Sequence, residues 1–204
     1  YEIYLDYLSN ANIVRFAPDG EGLALCAPDK GARDFVMEMI ARLNLPKAKC
    51  LLLDKERTGE RDVEISLSKD SESTFDDVAG HDIVLFDDMV RTGSTLVRTC
   101  QYLKKIQPGR LVFAVTHFYA SDEGRQKLAD TAIDEILTLN TLPTILNRDE
   151  QGRLRRKIVV LKIERWLAHN LTEILGLPSG DKSDLYHIDM SSKNPRFTRK
   201  ISSN

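Results

Sequence analysis

In the run VLFDDMVRTGST (84–95), an apolar stretch ends in two adjacent acids, Asp87 and Asp88, and a short turn, Arg91-Thr92-Gly93-Ser94-Thr95, opens a segment of helical periodicity. Ligands of open α/β sheets bind beyond the carboxyl ends of the strands. A helix N-terminus at such an edge offers unpaired N–H groups and about half a unit of positive charge, which suits a phosphate. Gly93 lets the backbone approach an anion closely or take a positive φ. The hydroxyls of Thr92, Ser94 and Thr95 add donors. Two carboxylates beside a phosphate are repulsive unless they face diol hydroxyls or a magnesium ion, and a ribose phosphate offers both the diol and the charge. An ordinary strand–turn–helix with an acidic N-cap accounts for one acid and one hydroxyl, but not for this whole turn.

A second candidate loop, APDKGARDF (27–35), follows another apolar run. Asp29 there can hold magnesium through oxygen, while Gly31 and the N–H groups after it can face a diphosphate. The plainer alternative is a helix start with an acid near its N-cap. Among the four histidines, His117 follows a strand at the same presumed edge, within reach of a ligand or a neighbouring subunit. His81, His169 and His187 have no partner at metal-ligand spacing and are expected at the surface. Trp166 and Leu167 are expected in the core.

The elements that must position these residues are legible as alternation. Apolar, β-branched runs at 23–27, 50–53, 83–86, 111–116, 135–139 and 157–162 read as strands covered on both faces. Helical periodicity follows at 32–43, 94–106, 123–130 and 164–175. Strands alternating with helices predict a doubly wound α/β fold with a mostly parallel sheet of about five to six strands. Residues 54–77 break the pattern: they are polar, with a short alternating segment at 63–67, and predict a flexible hairpin inserted between sheet strands. Residues 1–22 read as the end of a helix and a connector, 23–175 as the main domain, and 176–204 as a polar tail, extended or disordered unless something docks it.

Composition narrows the partners. With 29 basic and 31 acidic residues the net charge is −2, which suggests neither nucleic acid nor an anionic membrane surface. An anionic small molecule must then be held by local geometry. No apolar run approaches the ~20 residues of a membrane span, and no signal peptide is visible. The three cysteines, Cys26, Cys50 and Cys100, are widely spaced without a C-x-x-C pair, so buried free thiols in a reducing cytoplasm are expected. The chain opens at Tyr1 rather than Met, which leaves room for an upstream segment.

The apolar strand, Asp-Asp and Thr-Gly-Ser-Thr run resembles the ribose-phosphate loop of type I phosphoribosyltransferases and of ribose-phosphate pyrophosphokinases (phosphoribosyl pyrophosphate synthases). Further segments favour the pyrophosphokinases. APDKGARDF resembles their diphosphate-side loop, and LDKERTGERDVEI (53–65) resembles their catalytic flexible loop. AVTHFYASDEG (114–124) and IDEILTLNTLP (133–143) resemble their next two strand ends. The segments fall in family order over most of residues 20–175.

The resemblance implies a type I phosphoribosyltransferase-like fold and transfer of diphosphate from ATP to ribose 5-phosphate, with magnesium as cofactor. In that reading Asp87, Asp88, Arg91, Thr92, Gly93, Ser94 and Thr95 bind the ribose phosphate. Asp29, Lys30 and Gly31 lie on the diphosphate side, Asp29 as metal ligand, and Lys55 with Arg57 are catalytic on the flap. On residue types alone, those two cations are scattered charges on a solvated loop. The alternatives are a phosphoribosyltransferase consuming phosphoribosyl pyrophosphate, or a non-catalytic regulatory relative that binds sugar phosphate. In the family an Asp usually stands where this chain has Arg91, and the adenine nucleotide is gripped largely by an N-terminal half with no counterpart here. The chain is therefore expected to be the C-terminal portion of a longer enzyme or a stand-alone binding domain. A homo-oligomer is expected, because a half-domain of this kind would bury apolar faces against another copy.

Overall fold

The computed structural model describes residues 2–10, 13–57, 63–146, 152–178 and 186–189. Its centre is a sheet in which β2 (Lys49–Arg57), β1 (Leu23–Ala27), β4 (Asp82–Val90), β5 (Leu111–Phe118), β6 (Glu135–Leu139) and β7 (Ile158–Lys162) lie side by side and parallel. β3 (Val63–Leu67) extends one edge and β8 (His187–Asp189) the other, both antiparallel. The order β3-β2-β1-β4-β5-β6-β7-β8 follows from the chain stepping outward from β1 to β2 and then crossing back past β1 to β4. That reversal opens a crevice at the carboxyl ends of β1 and β4, where such sheets take ligands.

The uninterrupted apolar runs have a direct physical reason: each strand feeds two cores. Leu25, Leu52, Val84, Phe86, Val112, Leu137 and Val159 face one side, packed with α1 (Glu2–Asn10), α2 (Arg33–Leu43) and Trp166 of α5 (Glu164–Ile174). Cys26, Leu51, Ile83, Leu85, Phe113, Ile136 and Val160 face the other, against α3 (Ser94–Lys104) and α4 (Asp122–Leu128). All three cysteines are free and buried. Among the described residues no helix is long and apolar enough to cross a membrane.

Several expectations change. β4 does not stop at Phe86, because Asp87, Met89 and Val90 still pair with Val115, His117 and Phe118 of β5. The two acids therefore sit within the strand, where a neighbour supplies the ladder that their polarity concealed. Of the stretch expected as an inserted hairpin, 54–57 continues the sheet strand β2 and 63–67 forms β3 against it, with Lys55 opposite Ile65 and Arg57 opposite Val63, while 68–77 lies outside the pair. Leu167 is 46% exposed; Trp166 turns toward the sheet, and at about 100° per residue its neighbour is carried away from it. His169 has a mostly buried side chain with Nε2 3.3 Å from Glu173 Oε1, rather than a surface one. The stretch read as a polar tail contributes β8, while residues 179–185 and 190–204 lie outside the described part.

Candidate functional site

Beyond β1 the chain turns at Asp29, whose Oδ1 accepts hydrogen bonds from Gly31 N (3.0 Å) and Ala32 N (3.2 Å). An acid that satisfies the first N–H groups of a turn is a strong local signal for helix entry, and α2 follows. The other oxygen, Oδ2, lies 3.3 Å from Lys55 Nζ, which reaches in from β2 of the hairpin. Lys55 is the more enclosed partner, with 21% of its side chain exposed against 46% for Asp29.

Across the crevice stand Asp87 and Asp88. Asp87 is half-buried and accepts the backbone N–H of Asp88 at 2.9 Å. Burial raises its carboxyl to about 6 even against the downward pull of Lys55, and Asp29 adds a smaller upward push. A cavity of about 270 Å³ lies between the two walls, lined by Asp29, Gly31, Ala32 and Phe35 on one side and Phe86, Asp87, Asp88 and Thr116 on the other. Its floor is aromatic: Phe35 and Phe86 have ring centroids 5.6 Å apart, and Tyr4 meets Phe86 edge-on at 6.1 Å.

The turn after β4 is built by two glycines. Gly93 has φ +67, and a Cβ there would lie 2.9 Å from Leu128 Cγ. A Cβ on Gly124 would lie 2.7 Å from Arg91 O. The turn is thus seated directly on α4. Gly93, as the N-cap of α3, makes no side-chain cap, and N–H groups at the start of a helix are where an anion is most readily accepted.

The structure brings Asp29, Gly31, Lys55, Asp87 and Asp88 to one edge, with Thr92, Gly93, Ser94 and Thr95 in the adjoining turn. Arg91 is exposed. Lys30 does not line the cavity; it is exposed and 4.0 Å from Asp70. The side chain of Arg57 lies outside the described part. His117 Nδ1 stands 3.0 Å from Thr141 Oγ1, beside the cavity residue Thr116. Phe35, Phe86 and Thr116 line the cavity although no role attached to them in the sequence. Their signal was membership of the quoted segments 27–35, 84–95 and 114–124, beside the acids rather than among them.

Magnesium takes one or two carboxylates together with waters and substrate phosphates rather than an all-protein cage. Among the described residues no group of three or more ligating side chains could hold a metal. Both oxygens of Asp29 already have partners, backbone N–H groups on Oδ1 and Lys55 Nζ on Oδ2, so it would contribute to a metal only together with waters and substrate phosphates.

A doubly wound sheet with acids and a helix N-terminus at its switch point is an arrangement that suits phosphorylated ligands in open α/β proteins generally. The family model described as the phosphoribosyl transferase domain matches residues 9–145, and the chain belongs to that family. Within it, the ribose-phosphate pyrophosphokinase of Corynebacterium efficiens is 32% identical over 171 residues, covering 84% of this chain and 48% of that protein. Ribose-phosphate pyrophosphokinase 2 of Saccharomyces cerevisiae is 31% identical over 138 residues, covering 68% of this chain and 41% of its own length. The chain thus spans about half the length of the curated relatives it matches. The crystal structure of phosphoribosylpyrophosphate synthetase from Mycobacterium smegmatis superposes with a TM-score of 0.65 at 22% identity, over 86% of this chain and 50% of that one. The likeness carried by the sequence motifs holds in these comparisons, and the fold is the expected one.

Proposed function

We propose that the protein is a ribose-phosphate pyrophosphokinase, transferring the β,γ-diphosphoryl group of ATP to the anomeric hydroxyl of ribose 5-phosphate. In that reaction the anomeric oxygen forms a bond to the β-phosphorus, the bridging bond to the α-phosphate breaks, AMP leaves, and the hydroxyl proton is released. The observation that carries the reading is the convergence of Asp29, Asp87 and Asp88 on one cavity, with Lys55 paired to Asp29 at its border and the start of α3 in the turn that follows β4.

Each group has a task suited to its surroundings. Asp87 and Asp88 accept hydrogen bonds from the ribose diol. The turn from Thr92 to Thr95 receives the 5-phosphate with backbone N–H groups and hydroxyls, and Arg91 adds a cation at its rim. Asp29 would hold magnesium, which supplies charge neutralisation to the diphosphate when bound. Lys55 stands ready to stabilise charge on the transferring group, since phosphoryl transfer depends on positioning and electrostatics more than on covalent help. The ATP site, a cytoplasmic location and assembly with further copies belong to the same proposal.

The test is direct: ATP, ribose 5-phosphate and magnesium are supplied and AMP is followed. AMP formed only when all three are present is the expected result. Binding of ribose 5-phosphate with persistent absence of AMP would overturn the reading. Release of diphosphate from phosphoribosyl pyrophosphate only with an added nitrogenous base would replace it with a phosphoribosyltransferase.

A further inference from the structure

Lys127 lies in α4, outside the loop that carries the phosphate-binding residues, yet its Nζ donates to Ser94 Oγ at 3.0 Å. Ser94 is the first residue of α3. An ammonium group has only donors, so Ser94 Oγ must be the acceptor in this contact, and the Ser94 hydroxyl hydrogen is left to point elsewhere. Ser94 is half-buried in the first turn of α3, where Gly93 makes no side-chain cap.

The placement of Lys127 is fixed from two sides. Its Nζ is also 2.7 Å from Glu123 Oε1, one helical turn back on α4, and 39% of the side chain is exposed. α4 itself is held against the phosphate turn by the glycine contacts, because neither Gly93 nor Gly124 has room for a Cβ. Ser94 and Glu123 engage two of the three ammonium hydrogens, and one remains for an anion.

We propose that Lys127 is a positioning and specificity residue of the phosphate subsite: it orients Ser94 as a donor toward a dianionic 5-phosphate and adds a cation to that end of the site. This inference rests on the ribose 5-phosphate reading above. It assigns the selectivity for phosphorylated over free sugar in part to α4, a second element beyond the loop.

The experiment measures ribose 5-phosphate binding by titration calorimetry for the wild-type protein, Lys127→Met, Lys127→Arg, Ser94→Ala and the Lys127→Met/Ser94→Ala double variant, with thermal midpoints as a check on folding. Lys127→Met is expected to weaken binding roughly tenfold, as loss of a charge-assisted contact does, and Lys127→Arg to restore most of it. In the Ser94→Ala background, removal of Lys127 is expected to add less than about threefold, because the two act as a unit. In turnover, KM for ribose 5-phosphate rises while kcat holds, since the 5-phosphate is remote from the transferred group. Equal affinity of wild type and Lys127→Met overturns the inference alone. Fully additive losses overturn its positioning part. A wild-type protein that binds no ribose 5-phosphate overturns the functional reading and this inference with it.

Discussion

Burial holds the Asp87 carboxyl up at about 6 against the opposing pull of Lys55. Between the ordinary Asp value of about 4 and that raised value, the native state keeps a proton that the unfolded chain has shed. Stability therefore falls as pH rises through this window, and the penalty is fully present above it. Asp87→Asn should raise the thermal midpoint at pH 7.5 and leave it nearly unchanged at pH 3.5. The same variant should weaken ribose 5-phosphate binding roughly tenfold to hundredfold, the worth of a charge-assisted hydrogen bond. Equal midpoints at both pH values would remove the case for a strained carboxylate. Lys55 makes the complementary prediction: Lys55→Met should lower kcat on the order of a hundredfold or more with ribose 5-phosphate binding largely kept. Stopped-flow AMP release beside calorimetry separates those effects.

At the scale of elements, the turn between β4 and α3 depends on how closely α4 can approach it. Gly93 sits at φ +67 with Leu128 against it, and Gly124 faces Arg91 O. Gly124→Ala forces the turn or the helix to shift, and should destabilise the fold by about 1–3 kcal/mol in urea unfolding, the usual scale of overpacking. Because the displaced atoms are those of the turn itself, ribose 5-phosphate binding should fall in the same variant. Preserved stability with preserved binding would show the contact to be slack. The β2–β3 hairpin is the other mobile-looking device of the site by sequence, yet its base is tied down by register pairs from Leu53–Leu67 to Arg57–Val63, which is what aims Lys55 at Asp29.

Across the whole molecule, the two edges of the sheet divide the work. The carboxyl edge carries the candidate chemistry. The amino edge carries buried polar anchors: Arg110 lies 3.2 Å from Glu135 Oε2 and donates to Ile13 O, while Tyr7 OH is 3.5 Å from Glu135 Oε1. Asp82 accepts Arg15 N at 2.6 Å, and Asp134 takes both Leu111 N (2.8 Å) and Lys104 Nζ (2.7 Å). These contacts pin α1, the connector and the end of α3 to the strand starts. Only 3% of the Glu135 side chain is exposed, so Glu135→Ala leaves Arg110 largely uncompensated and should remove about 3–5 kcal/mol of stability. Denaturant unfolding measures the loss, and faster amide exchange in α1 should accompany it. A loss below about 1 kcal/mol would mean that water replaces the pair.

The residues themselves determined much of this protein. Runs of apolar residues without alternation required strands buried on both faces, and β1 and β6 begin and end where those runs do. Two acids, a glycine and three hydroxyls at one strand–helix junction marked the turn as a candidate anion site, and the strand–turn–helix they predicted is there. Periodicity reads only a residue's nearest neighbours along the chain, so it stopped β4 at its first acid, put Leu167 in the core and left His169 at the surface. Tertiary structure decided what depends on partners distant in sequence: Asp29 with Lys55, Tyr7 with Glu135, Lys127 with Ser94. Such contacts are set by sheet order and helix docking, which bring together groups that no spacing along the chain relates.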